Sequence, residues 1–443
     1  MPFILNTEPQ QKEMLEAIGL TMEQLFADIP AELRCKGLDL PAGFSELQVQ
    51  QHLEELAAKN ASDSICFMGG GFYDHFIPAA VSALIGRSEF YTAYTPYQPE
   101  LSQGTLQAIY EYQSMICRLT DMDASNASVY DGGTALYEAV MMARRHTNRD
   151  KIIFDDSVSP LYREMVKSHT RNLPIEIIET PNRNGRINRE GLLAQLDEQT
   201  AAVVLQNPNV FGGIDDFSDM AAAAHEKKAL LIVSAYPLSL GILKTPGAMG
   251  ADIVTGEGQS LGLPLSFGGP YLGFIATKMP YIRKMPGRIA GQTSDARGRR
   301  GFVLTLQARE QHIRRNKATS NICTNEALCA LSSLVYLCLL GKEGIKEVAQ
   351  LGADKAAYTF ERLTSISGVQ GRFKEQPFFN EFVIDLPVSA DAVTEKLYDK
   401  GFAVGFPLSC FYPDMANSLL IAVTEKRTKQ QIDSFAQALE AVL

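Results

Sequence analysis

The chain has 443 residues, of which 46% are hydrophobic and 21% charged, and a formal net charge of −10. That length is too great for one simple core, and the composition is that of an ordinary globular protein with two domains, or one large and one small. The acidic balance argues against general affinity for nucleic acid. No apolar run approaches the ~20 residues of a membrane helix, and the start "MPFILNTEPQQKEMLEAIG" lacks a signal-peptide pattern, so a cytoplasmic protein is expected.

In chain order, residues 1–60 read as a helical arm that ends in "QHLEELAAKN". "GGGFYDHFIP" (69–78) then sets Tyr73, Asp74 and His75 behind a glycine run. A histidine beside an aspartate fits a structural pair or acid–base work. "EFYTAYTPYQPELSQGTLQAIYEYQ" (89–113) is dense in aromatic and amide groups and runs into the helix "GTLQAIYEYQSMICRLTDM". It reads as a recognition segment or as a packed surface loop whose tyrosines bury their rings and keep their hydroxyls wet. A further helix, "DGGTALYEAVMMARRH" (131–146), carries Leu136, Ala139, Val140 and Ala143 on one face.

From residue 150 the pattern alternates. Strand-like runs at 151–156, 175–180, 201–208, 229–235, 251–256 and 271–278 are separated by helices such as "SPLYREMVKSHTRN", "NREGLLAQLDEQ" and "DFSDMAAAAHEKK". Buried-type strands in strand–helix order predict a mainly parallel sheet covered by helices, with ligands at the carboxyl ends of the strands. A large α/β domain is therefore expected over 61–325. A smaller α+β domain over 326–443 follows from a long apolar helix to Leu340, "EGIKEVAQLGADKAAYTFERLTSI", strands near "EFVIDL" and "SLLIAVT", and a last helix "TKQQIDSFAQALEAVL".

Seven cysteines without a C-x-x-C pair and six scattered histidines predict no zinc site and no other metal site. Charge is uneven: residues 281–317 hold ten Lys or Arg against two acids. Within this island Arg288, Arg297, Arg309, His312, Arg314 and Arg315 are candidates for an anionic partner surface. The other reading is a solvated basic face.

Gly132, Gly133 and Thr134 open a helix, where free N–H groups and the dipole favour a phosphate. An ordinary cap by Asp131 or Thr134 accounts for the same residues. Taken with the α/β pattern, this turn resembles the aspartate-aminotransferase-like pyridoxal-phosphate enzymes of fold type I. Their chemistry needs a lysine to hold the cofactor and an acid to keep the ring nitrogen protonated. The acid's place in "LLIVSAYPLSL" is held by Ser234, and the lysine's place in "GEGQSLGLPLSFGGP" (256–270) by Gln259. Neither can substitute. Lys244 and Lys278 are the nearest other lysines, and both read as solvated residues.

The motifs "YTAYTPYQPELSQG", "NASVYDGGTALYEA", "GQSLGLPLSFGGPYLGF", "MPGRIAG" and "QAREQHIRRNKATSNICT" together resemble the P-protein family of the glycine cleavage system over nearly the whole chain. In that family one long chain has two homologous halves, or the halves are separate α and β subunits; at 443 residues this chain is similar to the α subunit, subunit 1. The resemblance implies an α chain that binds no cofactor, with pyridoxal phosphate held by the β subunit, subunit 2. Glycine would be decarboxylated there and its aminomethyl group passed to the lipoyl arm of H-protein. Within such a pair we expect Tyr94, Tyr97, Gln98, Ser102 and Gln103 of the 91–103 segment to reach the β-bound cofactor or glycine, and the basic 281–317 region to meet the β subunit or H-protein. A self-sufficient decarboxylase with a displaced lysine and a non-catalytic scaffold are the alternatives.

Overall fold

A computed structural model describes residues 6–35, 37–61, 63–266 and 268–443. The chain divides into two compact units, 1–62 and 63–443. In the first, α1 (Glu8–Ile18) and α2 (Glu46–Ala57) have no buried residue. Helix α2 starts where Ser45 and Gln48 cap one another's backbone N–H groups.

The second unit is built on a seven-stranded sheet. Its members are β2 (Ala124–Ser125), β3 (Lys151–Asp155), β4 (Glu176–Thr180), β5 (Thr200–Asn207), β6 (Leu230–Ala235), β7 (Ile253–Glu257) and β8 (Gly273–Thr277), while β1 (Ile65–Phe67) lies outside it. The order is β2-β8-β7-β6-β5-β3-β4, with β3 to β7 parallel and β8 antiparallel to both β7 and β2. The sheet is mainly parallel, as the alternation of strands and helices predicts.

Both faces of the sheet are covered, which explains why its strands are continuously apolar. Along β5, Val203 and Leu205 join one core with Tyr112 and Ile116, whereas Ala202 and Val204 join another with Leu136, Ala139, Val140 and Ala143. The first face is packed by α3 (Ala79–Ile85) and α4 (Gln103–Thr120), the second by α5 (Gly132–Thr147) and α6 (Pro160–Thr170). Helices α7 (Arg189–Gln195) and α8 (Ser218–Glu226) complete the crossovers.

The basic region holds an element that its charge pattern hides, an antiparallel hairpin of β9 (Ile289–Ser294) and β10 (Arg300–Thr305). Ala290, Phe302 and Leu304 pack on Leu106 and Ile109 of α4. After the short α9 (Gln311–Arg314) comes α10 (Ala327–Thr364), broken at Gly341, whose φ of 59° and ψ of −169° are not helical. Among the described residues α10 is the one helix long and apolar enough by composition to cross a membrane. Its first part, however, places Cys329, Ala330, Leu334, Tyr336 and Leu337 in the core of the large sheet.

The remaining strands form a second, antiparallel sheet in the order β11-β12-β15-β14, from β11 (Gln370–Gly371), β12 (Glu381–Asp385), β14 (Phe406–Pro407) and β15 (Ser418–Ala422). Strand β13 (Phe402–Val404) pairs in parallel with β1. Phe382, Ile384, Leu419 and Ile421 share a core with Val393 and Leu397 of α11 (Ala390–Tyr398) and Phe435 and Leu439 of α12 (Lys429–Glu440).

Candidate active site

The carboxyl ends of β5, β6 and β7 enclose a cavity of about 40 Å³. Gln206, Ser234 and Glu257 line it from the strands, and Tyr73, Tyr236 and Glu381 close it. That volume admits a few water molecules and no pyridoxal ring. No lysine lines it.

Gln259 does not reach into open space. Its Oε1 accepts the Tyr73 N–H at 2.9 Å, and its Nε2 donates to the carbonyls of Tyr73 at 3.1 Å and Leu263 at 2.8 Å. The side chain behaves as one more peptide group, and it is 1% exposed. Ser234 is also buried, on β6 between Gln206 and Thr255 of its neighbours. Lys244 lies outside with Asp216 at 3.0 Å, and the Lys278 ammonium donates to the Asp121 carbonyl at 2.8 Å.

At the start of α5, Asp131 caps the helix: its carboxylate accepts from the Thr134 N–H and hydroxyl, both at 2.9 Å. The Gly132 N–H points instead at Glu257, donating to Oε2 at 2.9 Å. Oε1 of the same side chain accepts from the N–H groups of Gln259 at 2.9 Å and Leu272 at 3.0 Å. A methyl group on Gly132 would stand 2.6 Å from the Tyr162 hydroxyl, so this end of the helix is already packed. The residues present therefore do not fit pyridoxal phosphate in this chain: no lysine, no acid at 234, and a carboxylate across the phosphate turn.

The segment 69–76 is tied down on all sides. The Tyr73 hydroxyl donates to Glu381 at 2.6 Å, and the Gly70 N–H to the other oxygen at 2.5 Å. Burial pushes Glu381 up to about 7, against the pull of these two donors. Burial likewise pushes Glu257 up to about 7, with three backbone N–H groups pulling it down. His75, expected as structural or acid–base, bridges Glu425 at 2.6 Å and the Tyr236 hydroxyl. Asp74 pairs with Lys426 at 2.5 Å and Arg427 at 2.8 Å. Glu257, Glu381 and Tyr236 had no marker in the sequence, since each is a single polar residue in an apolar or irregular stretch, and Tyr162 is one polar residue among many on α6.

The tyrosine segment is different. Tyr94 is 83% and Tyr97 48% exposed, and Gln98 is exposed beside them. Tyr91 and Tyr94 edge a mostly apolar groove of about 470 Å³ over α4 and the start of α10. The Tyr97 ring sits 5.7 Å from the Arg288 guanidinium and 5.4 Å, edge-on, from the His312 ring. Ser102 is buried at 7% exposure, and the Gln103 amide is spent on the backbone of Phe302 and on the Pro99 carbonyl. These two hold the segment's base, while Tyr94, Tyr97 and Gln98 are presented outward.

The basic candidates separate in the same way. Arg288, 3% exposed, donates to Thr324, Asn325 and the Cys323 carbonyl, and Arg309 donates to the carbonyls of Met285 and Gly287. Burial lowers Arg309 to about 10. Both guanidiniums brace the chain internally. Arg297, His312, Arg314 and Arg315 are exposed.

The family model of the glycine cleavage system P-protein matches residues 1–439. The chain belongs to the P-protein family. A relative from Maridesulfovibrio salexigens, a probable glycine dehydrogenase (decarboxylating) subunit 1, is 55% identical over 444 residues, with all of each chain covered. A crystal structure of glycine decarboxylase, the P-protein, in inhibitor-bound form is 44% identical with a TM-score of 0.92, again over all of each chain. A sphingosine-1-phosphate lyase from Burkholderia pseudomallei shares 15% identity at a TM-score of 0.67 over 93% of each chain, a likeness of fold alone. This P-protein family member has the pyridoxal-phosphate enzyme fold of type I, which its α/β pattern and helix-start turn resemble.

Proposed function

We propose that this chain is the α subunit of a two-subunit glycine dehydrogenase (decarboxylating). It binds no pyridoxal phosphate itself and completes, across an interface, a site on the β subunit that does. The observation that carries this reading is the filled seat: Gln259 and Glu257 use their polar atoms inside the chain, where a working site would present a lysine and an open phosphate turn. When bound on the partner, the cofactor supplies the electron sink for loss of CO₂ from glycine.

The duties left to this chain are binding, orientation and exclusion of water. Tyr94, Tyr97 and Gln98 lie on an exposed, anchored segment and offer hydroxyl and amide groups to glycine or to the partner's site. The rings of Tyr94 and Tyr97 shield that site from solvent while the aminomethyl group passes to the lipoyl arm of H-protein. Arg297, Arg314 and Arg315 offer cationic surface to the β subunit or to H-protein. Seven unpaired cysteines suit the reducing cytoplasm.

The test is co-expression with the β subunit. The isolated chain should be colourless and inactive in exchange between glycine and CO₂, and the pair coloured and active. Exchange by the chain alone would overturn the reading in favour of a self-sufficient decarboxylase. Unchanged exchange in a complex carrying both Tyr97→Phe and Gln98→Ala would favour a scaffold.

A further inference from the structure

Helix α5 begins at Gly132 and is long enough to present a partial positive charge at its first turn. Such termini take anions, and in this fold the turn would face a ligand's phosphate. Here the first turn has two carboxylates. Asp131, as N-cap, accounts for Thr134. Glu257 accounts for Gly132, and it comes from a different element, the carboxyl end of β7.

Three features set Glu257 apart from a chance neighbour. It is 5% exposed, yet both of its oxygens accept hydrogen bonds. Its three donors are backbone N–H groups from the start of α5 and from residues 259 and 272, so they converge from a distant helix and from both ends of the stretch that follows β7. Convergent main-chain N–H groups are a geometry that binds oxyanions. The Tyr162 hydroxyl and Glu257 Cβ fill the space directly over Gly132, at 2.6 and 3.0 Å from where a Cβ would stand.

We infer that Glu257 is a built-in anion: its carboxylate takes the place of a ligand's phosphate at the start of α5, sealing the seat and tying α5, the end of β7, Gln259 and Leu272 to one another. The three N–H groups cannot be left bare in a buried site without cost, so a chain with no phosphate ligand at this turn needs another acceptor. Glutamate at the end of β7 supplies it without a cofactor. Gln259 and Leu272 are thereby held to one carboxylate whether or not any ligand is present.

This inference stands apart from the partner-dependent reading and is tested without activity. Thermal unfolding of the full chain is followed at pH 8, above the value of about 7 to which burial raises Glu257, for the wild type, Glu257→Gln and Glu257→Ala, each in sodium chloride and in sodium formate or inorganic phosphate of matched ionic strength. Glu257→Ala leaves three N–H groups around an anion-sized void. It should melt several degrees below the wild type, and formate or phosphate should restore part of that loss while leaving the wild type unmoved. Glu257→Gln keeps the shape but turns one donor toward another donor, and it should also melt lower. If Glu257→Ala does not fold without added anion, folding in formate supports the inference. A melting temperature of Glu257→Gln equal to the wild type overturns it, as does a Glu257→Ala chain indifferent to both anions. Either result would leave the exchange experiment above untouched, and exchange by the chain alone would leave this one untouched.

Discussion

Gln103 exchanges two hydrogen bonds with the backbone of Phe302: its Oε1 accepts the Phe302 N–H at 2.9 Å, and its Nε2 donates to the Phe302 carbonyl at 2.8 Å. Further along α4, Gln113 does the same to Ala290, at 2.9 and 3.0 Å. One glutamine grips each strand of the β9–β10 hairpin, and Gln103 also closes the turn at Pro99. The base of the tyrosine segment is thus welded to the hairpin. Replacing Gln103 by Leu strands the N–H and carbonyl of a residue only 5% exposed, which should cost about 1–3 kcal/mol of stability. Denaturant unfolding measures it. Gln103→Glu should lose nearly as much, because a carboxylate cannot donate to the carbonyl.

Arg288 and Arg297 lie close in sequence and differ in kind. Arg288 is buried with three neutral oxygen partners, and lysine cannot reach them with a planar fork. Arg288→Lys should lower stability by about 1.5–3 kcal/mol and release Tyr97 from its cation contact. Arg297→Glu should change stability by no more than ~0.5 kcal/mol. If the hairpin tip meets an acidic surface, Arg297→Glu and Arg314→Glu should instead weaken association with the β subunit or H-protein. The weakening should shrink as salt is raised. Titration by light scattering or calorimetry at two salt concentrations separates the effects.

Much of the architecture was legible because it rests on periodicity. The face Leu136, Ala139, Val140 and Ala143 is buried as its spacing requires, and the apolar runs from 151 to 278 are the strands of the large sheet. The hairpin was not legible, since the exposed tip "QTSDARGRR" carries charge where a half-buried strand would show alternation. Within the site, the expectation placed on 234 and 259 came from the residue types that the chemistry demands, and the structure shows both side chains buried. The occupant of the phosphate turn was not legible. Glu257 lies 125 positions from Gly132, and no local pattern links a strand-end glutamate to a distant helix start. Burial also divided the arginines in a way that charge counting cannot, because Arg288 and Arg297 look alike in composition.

Glu381 sets a pH dependence with a definite sign. Its ordinary value is 4.5, and burial raises it to about 7 in the folded chain. Between those values the native state holds a proton that the unfolded chain has lost. Stability from this group is therefore full below about 4.5 and declines as pH rises through 7. The total is on the order of 3 kcal/mol. Glu381→Gln is neutral at every pH and keeps partners for Tyr73 and Gly70. Unfolding free energies between pH 5 and pH 8 should fall more steeply for the wild type than for Glu381→Gln. Parallel slopes would mean that Glu381 is ionised throughout.

Restoring the two missing groups should not restore a cofactor site. Gln259→Lys loses the paired hydrogen bonds to the Tyr73 backbone, and Ser234→Asp adds a buried charge on β6. Neither change enlarges a cavity of about 40 Å³ or removes the Glu257 carboxylate from Gly132. The double variant mixed with pyridoxal phosphate should gain no cofactor absorbance after dialysis, and it should melt below the wild type because two buried sites are disturbed. Adding Glu257→Gly opens the helix start, since the N–H groups that met the carboxylate then face a void that a phosphate can fill. Absorbance in the triple variant but not in the double would assign the block to Glu257. Absorbance already in the double would show that the seat yields to the ring and that lysine and acid alone were lacking.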